Sequence, residues 1–168
     1  MAEIVVSQAK RSDAKPIAKL IEEWVVTSAI PWPQAQTDPT VEWVLHTIDH
    51  GYVVVAEKDG RLLGIAGIQP CYLPWNVDQP MMRDAFFYVP RAKSANALSQ
   101  ERVERAARRV PGVADALMTA IKLYCAKRGL PLLMEIISGL ETDKLERWYG
   151  IKGGRYAGGV MVFGLEEG

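Results

Sequence analysis

Two β-rich runs joined by an Asp-Gly dipeptide constrain this fold more than any other feature of the sequence. The runs are Tyr52–Glu57 (YVVVAE) and Arg61–Gln69 (RLLGIAGIQ), and Asp59-Gly60 stands between them. Asp-Gly is favoured in the two-residue turn of a β-hairpin, because both central residues of that turn adopt positive φ. The sequence therefore predicts two antiparallel strands joined by a tight turn.

A strand and two helices are predicted before this hairpin. The β-branched run Glu3–Ser7 predicts the first strand, and Ser12-Asp13 supplies an N-cap for a helix whose apolar residues recur at helical spacing. Residues 30–40 contain three prolines and cannot continue that helix. A second helix is predicted from Asp38, with a proline in its first turn, to a stop at Gly51.

A strand–helix–strand unit is predicted in the second half of the chain. A loop with prolines and a tryptophan is expected over residues 70–80, followed by a strand over Ala85–Val89 (AFFYV). The long helix Gly112–Lys127 ends at Gly129, and Leu130–Ile137 is nearly all apolar, as in a strand covered on both faces. Strands joined through a helix pair in parallel.

The remaining segments complete a single domain over residues 1–168. They are a polar stretch, Arg91–Arg108, with a short helix expected at Leu98–Ala107, then a helix over Thr142–Tyr149 and a last strand over Ala157–Leu165. The predicted fold class is α/β (α+β). We expect a mixed, mostly antiparallel central sheet with a parallel strand–helix–strand crossover and helices on both faces.

Charge excludes one class of function. The 168 residues include twenty basic and twenty acidic side chains, so no overall field attracts nucleic acid or a membrane surface. A local excess of four basic residues lies between Arg91 and Arg109 and suits an anion or an acidic protein surface. Because the rest of the chain is neutral, a nucleic-acid-binding domain that uses this basic segment is a weak hypothesis.

Cysteine usage and hydropathy indicate the compartment. Cys71 and Cys125 stand in no paired motif, which gives neither a disulfide framework nor a zinc ribbon and suits a reducing cytoplasm. No apolar run approaches the roughly 18 residues of a membrane span. We expect a cytoplasmic protein, with a monomer and a homodimer both open.

The start of the long helix carries the motif that bears most directly on chemistry. Residues 109–114 read Arg-Val-Pro-Gly-Val-Ala, an Arg-x-x-Gly-x-Ala pattern. Small residues let a diphosphate approach the main chain, and the amides and dipole of a helix N-terminus attract it. An ordinary helix start, with proline near its first position, explains the same residues.

In its motifs the chain resembles the GNAT acyltransferase family over nearly its whole length. VVVAEKDGRLLGIAGI is similar to that family's second and third strands, and FFYVP to its fourth strand. RVPGVADALMTAIKLYCAKRGLPLLMEI resembles the diphosphate loop, third helix and fifth strand, and LERWYGIKGGRYAGGVMVF resembles the ending. The resemblance implies an N-acyltransferase that uses acetyl-CoA or a related acyl-CoA and a primary amine, either a small molecule or a protein.

The same resemblance assigns the residues that hold the acyl-CoA. The diphosphate would be bound by Arg109, Val110, Gly112, Val113 and Ala114. An alternative register places this loop at residues 91–96, directly after the fourth strand. Pro111 departs from the expected loop because it removes one amide donor.

Further residues are implied for the pantetheine arm and the leaving group. Main-chain groups of Phe87 and Val89 would pair with the arm, and the Val89 amide would polarise the thioester carbonyl. Ser138 is a candidate to bond the pantetheine. Tyr149 would protonate the departing thiolate, although a packed aromatic at a helix end is the simpler interpretation.

The base and the acceptor pocket are less specific. Glu135 and Asp84 are both candidates for the general base, and each is also explained as an ion-paired surface carboxylate. Trp32, Tyr72 and Trp75, in loops rich in proline, are candidates for acceptor binding. Such aromatic residues serve protein interfaces equally well.

Two other possibilities remain from the sequence. His46 and His50 stand at metal-binding spacing on the second helix, but without an obvious third ligand no metal site is predicted. Pro111 and the basic segment that starts at Arg91 favour a second hypothesis, a GNAT-fold interaction module that acts by binding a partner protein.

Overall fold

The computed structural model describes residues 3–28, 32–73, 76–90, 110–135 and 142–155. It contains strands β1–β5, helices α1–α4 and a 3₁₀ turn at Arg11–Asp13. The strands are β1 Val5–Gln8, β2 Tyr52–Lys58, β3 Arg61–Leu73, β4 Asn76–Tyr88 and β5 Leu132–Leu133. The helices are α1 Ala14–Thr27, α2 Thr37–His50, α3 Val113–Arg128 and α4 Thr142–Ile151. The helix predicted at 98–107 and the strand predicted at 157–165 lie outside the described residues.

The strands form one mixed sheet in the order β1-β2-β3-β4-β5. Neighbours from β1 to β4 are antiparallel, and β5 lies parallel to β4. The chain enters β5 from α3, so β4, α3 and β5 form the parallel crossover expected from the sequence. The predicted fold class is confirmed.

The central hairpin forms as its turn residues require. Asp59 and Gly60 have φ values of 53° and 71°. Two consecutive residues with positive φ define the turn type whose twist matches that of the flanking strands. The same logic holds at the end of α3, where Gly129 has a φ of 64° and stops the helix.

The loop predicted over residues 70–80 is wrong, because β3 and β4 continue through most of it. Pro70 pairs with Met82 and Tyr72 pairs with Pro80 in the antiparallel ladder. This part of the hairpin extends beyond β2, whose first residue, Tyr52, pairs with Ile68. Proline is tolerated there because it lies on a strand edge that needs no amide donor.

Two smaller predictions also change. β1 is shifted to Val5–Gln8. Among the described residues of the longer strand that was predicted, up to Glu135, β5 pairs with β4 only at Leu132–Leu133. Asp13 precedes α1 but makes no side-chain cap to that helix. Its Oδ2 instead accepts a hydrogen bond of 2.7 Å from the main-chain N–H of Lys10, which closes the 3₁₀ turn.

The sheet separates two apolar cores, one on each face. Alternate residues of β2 point to opposite faces, so Val53 packs with α1 and α2, whereas Val54 packs with α3. The first core includes Ala14, Ile17, Ile21, Val44 and Phe86. The second includes Ile68, Val113, Leu117, Ile121 and Cys125. Helices therefore cover both faces, and none of the described helices has the length and apolarity needed to cross a membrane.

Candidate active site

A β-bulge interrupts β4 at the middle of its pairing with β3. Ile68 faces Asp84, and the preceding residue, Gly67, faces Phe86, so Ala85 is an extra residue on β4. A bulge of this kind bends its strand and re-aims the adjacent side chains. Gly67 is required here, because a Cβ at that position would lie 2.4 Å from the ring of Phe86.

Strands β4 and β5 part next to this bulge. They pair at Met82↔Leu132 and Arg83↔Leu133. Beyond these pairs, the contact between the two strands is made by a side chain. Oδ1 of Asp84 accepts a hydrogen bond of 3.0 Å from the main-chain N–H of Glu135. Within the part of the chain that the structure describes, no strand lies beside Ala85–Phe87 on that side. The parting leaves a strand edge on which an extended ligand can form main-chain hydrogen bonds.

A cleft of about 320 Å³ opens at the place where the strands part. Its walls come from α1, α2, β3, β4, the end of β5 and α4. The cleft brings together the three candidates for proton transfer, Asp84, Glu135 and Tyr149, and also Phe87. The other lining residues are Trp24, Trp43, Gln69, Arg83, Ala85 and Phe86.

The carboxyl of Asp84 is tuned to neutral pH. Its pKa is raised from 3.8 to about 7, chiefly by burial and to a smaller extent by the nearby charge of Glu135. The hydrogen bond from the Glu135 amide and the charge of Arg83 offset part of this rise. A carboxyl with a pKa near the working pH accepts and releases a proton readily.

Glu135 has a different environment from Asp84, although the two lie in one cleft. Its Oε1 lies 3.9 Å from Nε of Arg83, and these two side chains are 31% and 45% exposed. An ion pair with this much solvent access contributes little to stability. Its role here is electrostatic: Arg83 balances one of the two carboxylates of the cleft.

Tyr149 projects into the same cleft from α4. Burial raises the pKa of this phenol above its usual value, and the charge of Asp84 raises it further. The hydroxyl therefore keeps its proton at any pH near neutrality and serves as a hydrogen-bond donor rather than as a strong acid.

Contacts from α3 and β4 hold α4, and with it Tyr149, in place. Oδ1 of Asp115, in the first turn of α3, accepts a hydrogen bond of 3.1 Å from Trp148 Nε1 and lies 2.8 Å from Lys152 Nζ. The Trp148 ring lies 6.0 Å from the ring of Phe87 and 5.2 Å from that of Tyr149. One carboxylate thus ties together the two helices beside the cleft.

We expect Asp115→Ala to destabilise the protein by roughly 1 kcal/mol, because one hydrogen bond and one largely exposed ion pair are lost. Urea unfolding followed by circular dichroism measures the change. Asp115→Asn is the matched control, since its amide oxygen still accepts from Trp148, and it should recover about half of the loss. Equal losses in both variants would show that the tryptophan bond contributes nothing.

The turn that enters α3 is open to solvent. Gly112 precedes the helix with a φ of 88°, and no side chain caps the first amides among the residues that the structure describes. Pro111 and Gly112 are exposed, whereas Val113 is buried in the core and Val110 packs against it. An exposed helix start without a side-chain cap is a candidate site for an external anion.

Gly64 on β3 brings this turn next to the end of β4. A Cβ on Gly64 would lie 3.0 Å from Val113 Cγ1 and 3.0 Å from Val89 Cγ2. The side chains of Val89 and Val113 thus meet over one glycine of the sheet. The two segments implied for the pantetheine arm and the diphosphate are neighbours in space. Arg109 and Ser138 lie outside the described residues.

The aromatic residues of the cleft differ from those singled out in the sequence. Trp32 is half-buried and Tyr72 is 58% exposed, and neither lines the cleft; Trp75 lies outside the described residues. Trp24 of α1 and Trp43 of α2 line it instead. Sequence analysis missed them because they fit the apolar faces of their helices. The residue type could have indicated them, since tryptophan is common where an apolar core meets solvent.

His46 and His50 lie side by side on the exposed side of α2, with ring centroids 4.5 Å apart and an interplanar angle of 46°. Across the described ranges, no group of three or more histidine, cysteine, aspartate or glutamate side chains is placed to hold a metal ion.

A mixed sheet whose last two strands part beside a buried carboxyl, with an open helix start next to them, is the architecture that the resemblance to GNAT acyltransferases implies. No protein-family model matches the sequence, and no curated protein sequence matches it. The comparison with solved structures is decisive for the fold.

An aminoglycoside N-acetyltransferase, AAC(6′)-Iy, in complex with CoA superposes with a TM-score of 0.67 at 15% identity, over 97% of this chain and 95% of that one. A predicted acetyltransferase with acetyl-CoA from Clostridium acetobutylicum gives 0.69 at 12% identity, over 97% of both chains. A GCN5-related N-acetyltransferase from Ralstonia eutropha JMP134 gives 0.67 at 16% identity, over 95% of this chain and 97% of that one. The protein has the GNAT fold.

Proposed function

We propose that the protein transfers an acetyl group from acetyl-CoA to a primary amine by direct attack. The observation that carries this proposal is the cleft between the parting strands β4 and β5, where Asp84, with a pKa of about 7, and Tyr149 line one space. The GNAT fold and the CoA and acetyl-CoA complexes of structures that share it support the choice of co-substrate.

Acetyl-CoA would lie along β4 and across the start of α3. Its pantetheine arm would pair with the edge at Phe87 and Val89, beside which the described residues form no strand. Its diphosphate would accept hydrogen bonds from the amides that begin at Gly112. The position of both Val89 and Val113 over Gly64 supports this path, because it makes the two binding segments adjacent.

The acceptor enters the cleft as an ammonium ion and must lose a proton before it attacks. Asp84, ionised, takes that proton, and the amine nitrogen attacks the carbonyl carbon of the thioester. The Val89 amide would stabilise the oxyanion of the tetrahedral intermediate. The carbon–sulfur bond then breaks and the attacking nitrogen releases its second proton to solvent, which yields the acetylated amine and the CoA thiolate.

Tyr149 would donate a hydrogen bond to the departing sulfur. Its raised pKa argues against complete proton transfer, because an unperturbed thiol has a pKa of about 8.5 and is the stronger acid. The proton that Asp84 took from the amine is the one that returns the thiolate to a thiol, directly or through solvent.

Tyr149→Phe is expected to lower kcat about 10-fold to 100-fold, because one donor to the developing charge is removed. The Kd of acetyl-CoA should stay within about threefold, since the ring and its packing on Trp148 remain. Thiol release measures kcat, and calorimetry measures Kd. If kcat does not change, Tyr149 plays no part in thiolate departure.

The test of the proposed function is amine-dependent release of CoA thiol from acetyl-CoA. A panel of primary amines at about pH 8 should give release above the rate of hydrolysis for at least one member. Calorimetry should show binding of acetyl-CoA, and the ligand should raise the melting temperature. No heat and no thermal protection at millimolar acetyl-CoA would refute the proposal.

A protein-interaction module is the second candidate, and Pro111 supports it. This residue is exposed in the turn where the diphosphate would bind, and it lacks an amide hydrogen. Absence of acetyl-CoA binding in the same calorimetric experiment would favour this alternative.

A further inference from the structure

One wall of the cleft is aromatic. Trp24 from α1 and Trp43 from α2 line it together with Phe86 from β4. The rings of Trp43 and Phe86 lie edge to face, with centroids 5.5 Å apart and an interplanar angle of 82°. Both tryptophans are half-buried and pack against the core beneath α1 and α2. They form an apolar surface on this side of the cleft.

A second part of the lining carries the charge. Among the described lining residues, the charged side chains are Arg83, Asp84 and Glu135. Arg83 and Glu135 pair at 3.9 Å, so one carboxyl, that of Asp84, remains for a ligand cation. The Arg83–Glu135 pair has no net charge, so it offers no unpaired carboxylate to a second positive charge on the acceptor. The described lining therefore balances one ammonium group and not several.

The size of the cleft sets a further limit. Ligand pockets range from about 300 to 1,000 Å³, and this one, at about 320 Å³, lies at the small end. The aromatic and acidic walls adjoin along β4, because Asp84 and Phe86 flank the bulge residue Ala85. An acceptor that touches both walls needs only a short chain between its amine and its apolar part.

We propose that the acceptor is a small primary monoamine that carries an aromatic or similar flat apolar group, with 2-phenylethylamine as the simplest representative. This inference rests on the proposed acetyl transfer. The ammonium binds Asp84, and the flat group packs on Trp24 and Trp43. Polyamines, aminoglycosides and peptide amines are disfavoured, the first two by charge and the last by size.

The test compares kcat/KM for 2-phenylethylamine, propylamine, spermidine, kanamycin and a short peptide, measured as thiol release. We expect 2-phenylethylamine to exceed propylamine by at least about 10-fold, because burial of an aromatic group adds binding energy. Trp24→Leu and Trp43→Leu should each reduce that ratio about fivefold to 10-fold. The ratio is internal to one preparation, so a smaller folded fraction does not affect it.

Val26→Ala is the matched control. Val26 lies on α1 two residues after Trp24, and its side chain is 57% exposed and outside the cleft. This variant should keep the wild-type ratio. A preference for spermidine, kanamycin or the peptide would overturn the inference. So would an unchanged ratio in both tryptophan variants.

Binding of 2-phenylethylamine to the protein without acetyl-CoA separates this inference from the proposed function. Ligand-observed NMR should detect the amine on the wild-type protein, and about 10-fold less saturation transfer on Trp24→Leu. Binding without thiol release from any amine would refute acetyl transfer but keep the assignment of the cleft. Thiol release with other amines, and neither binding nor release with 2-phenylethylamine, would refute the assignment alone.

Discussion

Asp84→Asn is expected to lower kcat/KM for amine-dependent thiol release by about 1,000-fold, within the range for loss of a positioned base. Asparagine has the same shape, and its side-chain oxygen can still accept the hydrogen bond from the Glu135 amide. It cannot accept a proton from the ammonium group. The variant therefore keeps the geometry of the strand separation and removes the group that accepts the proton.

The pH dependence identifies the base. Because Asp84 must be ionised to act, wild-type kcat/KM should fall as the pH drops through about 7, the pKa to which burial raises this carboxyl. Asp84→Asn should lose that acidic limb. Glu135→Gln tests the other carboxylate of the cleft. If Glu135→Gln removes the limb and Asp84→Asn does not, Glu135 is the base and the assignment of Asp84 is wrong.

Asp84→Asn should also raise the stability of the folded protein at alkaline pH. The folded pKa of Asp84, about 7, lies above its unfolded value of 3.8. The favourable contribution of the neutral carboxyl is therefore complete below pH 3.8 and is lost as the pH rises through about 7. At 1.36 kcal/mol per pH unit, ionisation costs up to about 4 kcal/mol near pH 8. Asp84→Asn should raise the melting temperature most near pH 8 and less near pH 5. A carboxylate with a purely structural role would show a loss instead.

Gly112→Trp is expected to raise the Kd of acetyl-CoA at least about 100-fold, or about 2.7 kcal/mol. The indole would cover the start of α3, where Gly112 is exposed and no described side chain caps the first amides. Calorimetry measures the Kd, and circular dichroism checks that the variant folds.

Gly112→Ala is the control for backbone strain. Gly112 has a φ of 88°, so any side chain there costs roughly 1 kcal/mol. The added Cβ would lie 3.9 Å from Ile4 Cδ1, an ordinary contact, and is far smaller than an indole. Alanine should therefore change the affinity only a few-fold. Wild-type affinity in the tryptophan variant would place the diphosphate elsewhere.

The elements that the sequence predicts best are those set by local chemistry. The Asp59-Gly60 turn and the end of α3 at Gly129 each depend on residues with positive φ, and both form as expected. The loop expected at 70–80 fails for the opposite reason. Whether Pro70 and Pro80 break a strand depends on which edges of the sheet are paired, and distant strands decide that.

In the candidate site, too, the sequence indicates individual residues but not how they are placed relative to one another. Asp84, Glu135 and Tyr149 can be named from the resemblance, but their juxtaposition depends on a contact between positions 51 residues apart. Burial at that contact raises the pKa of Asp84. Trp24 and Trp43 illustrate the limit of periodicity. Helical spacing identifies the apolar face of α1. It does not show which residues of that face pack in the core and which line a cleft.

A crystal structure with acetyl-CoA tests the central claim most directly. The diphosphate should lie within hydrogen-bond distance of the amides of Gly112, Val113 and Ala114, and the thioester should lie between Asp84 and Tyr149. The pantetheine should run beside β4 at Phe87. A structure in which protein side chains fill the turn at Gly112, or in which the thioester lies outside the cleft, would contradict acetyl transfer at this site.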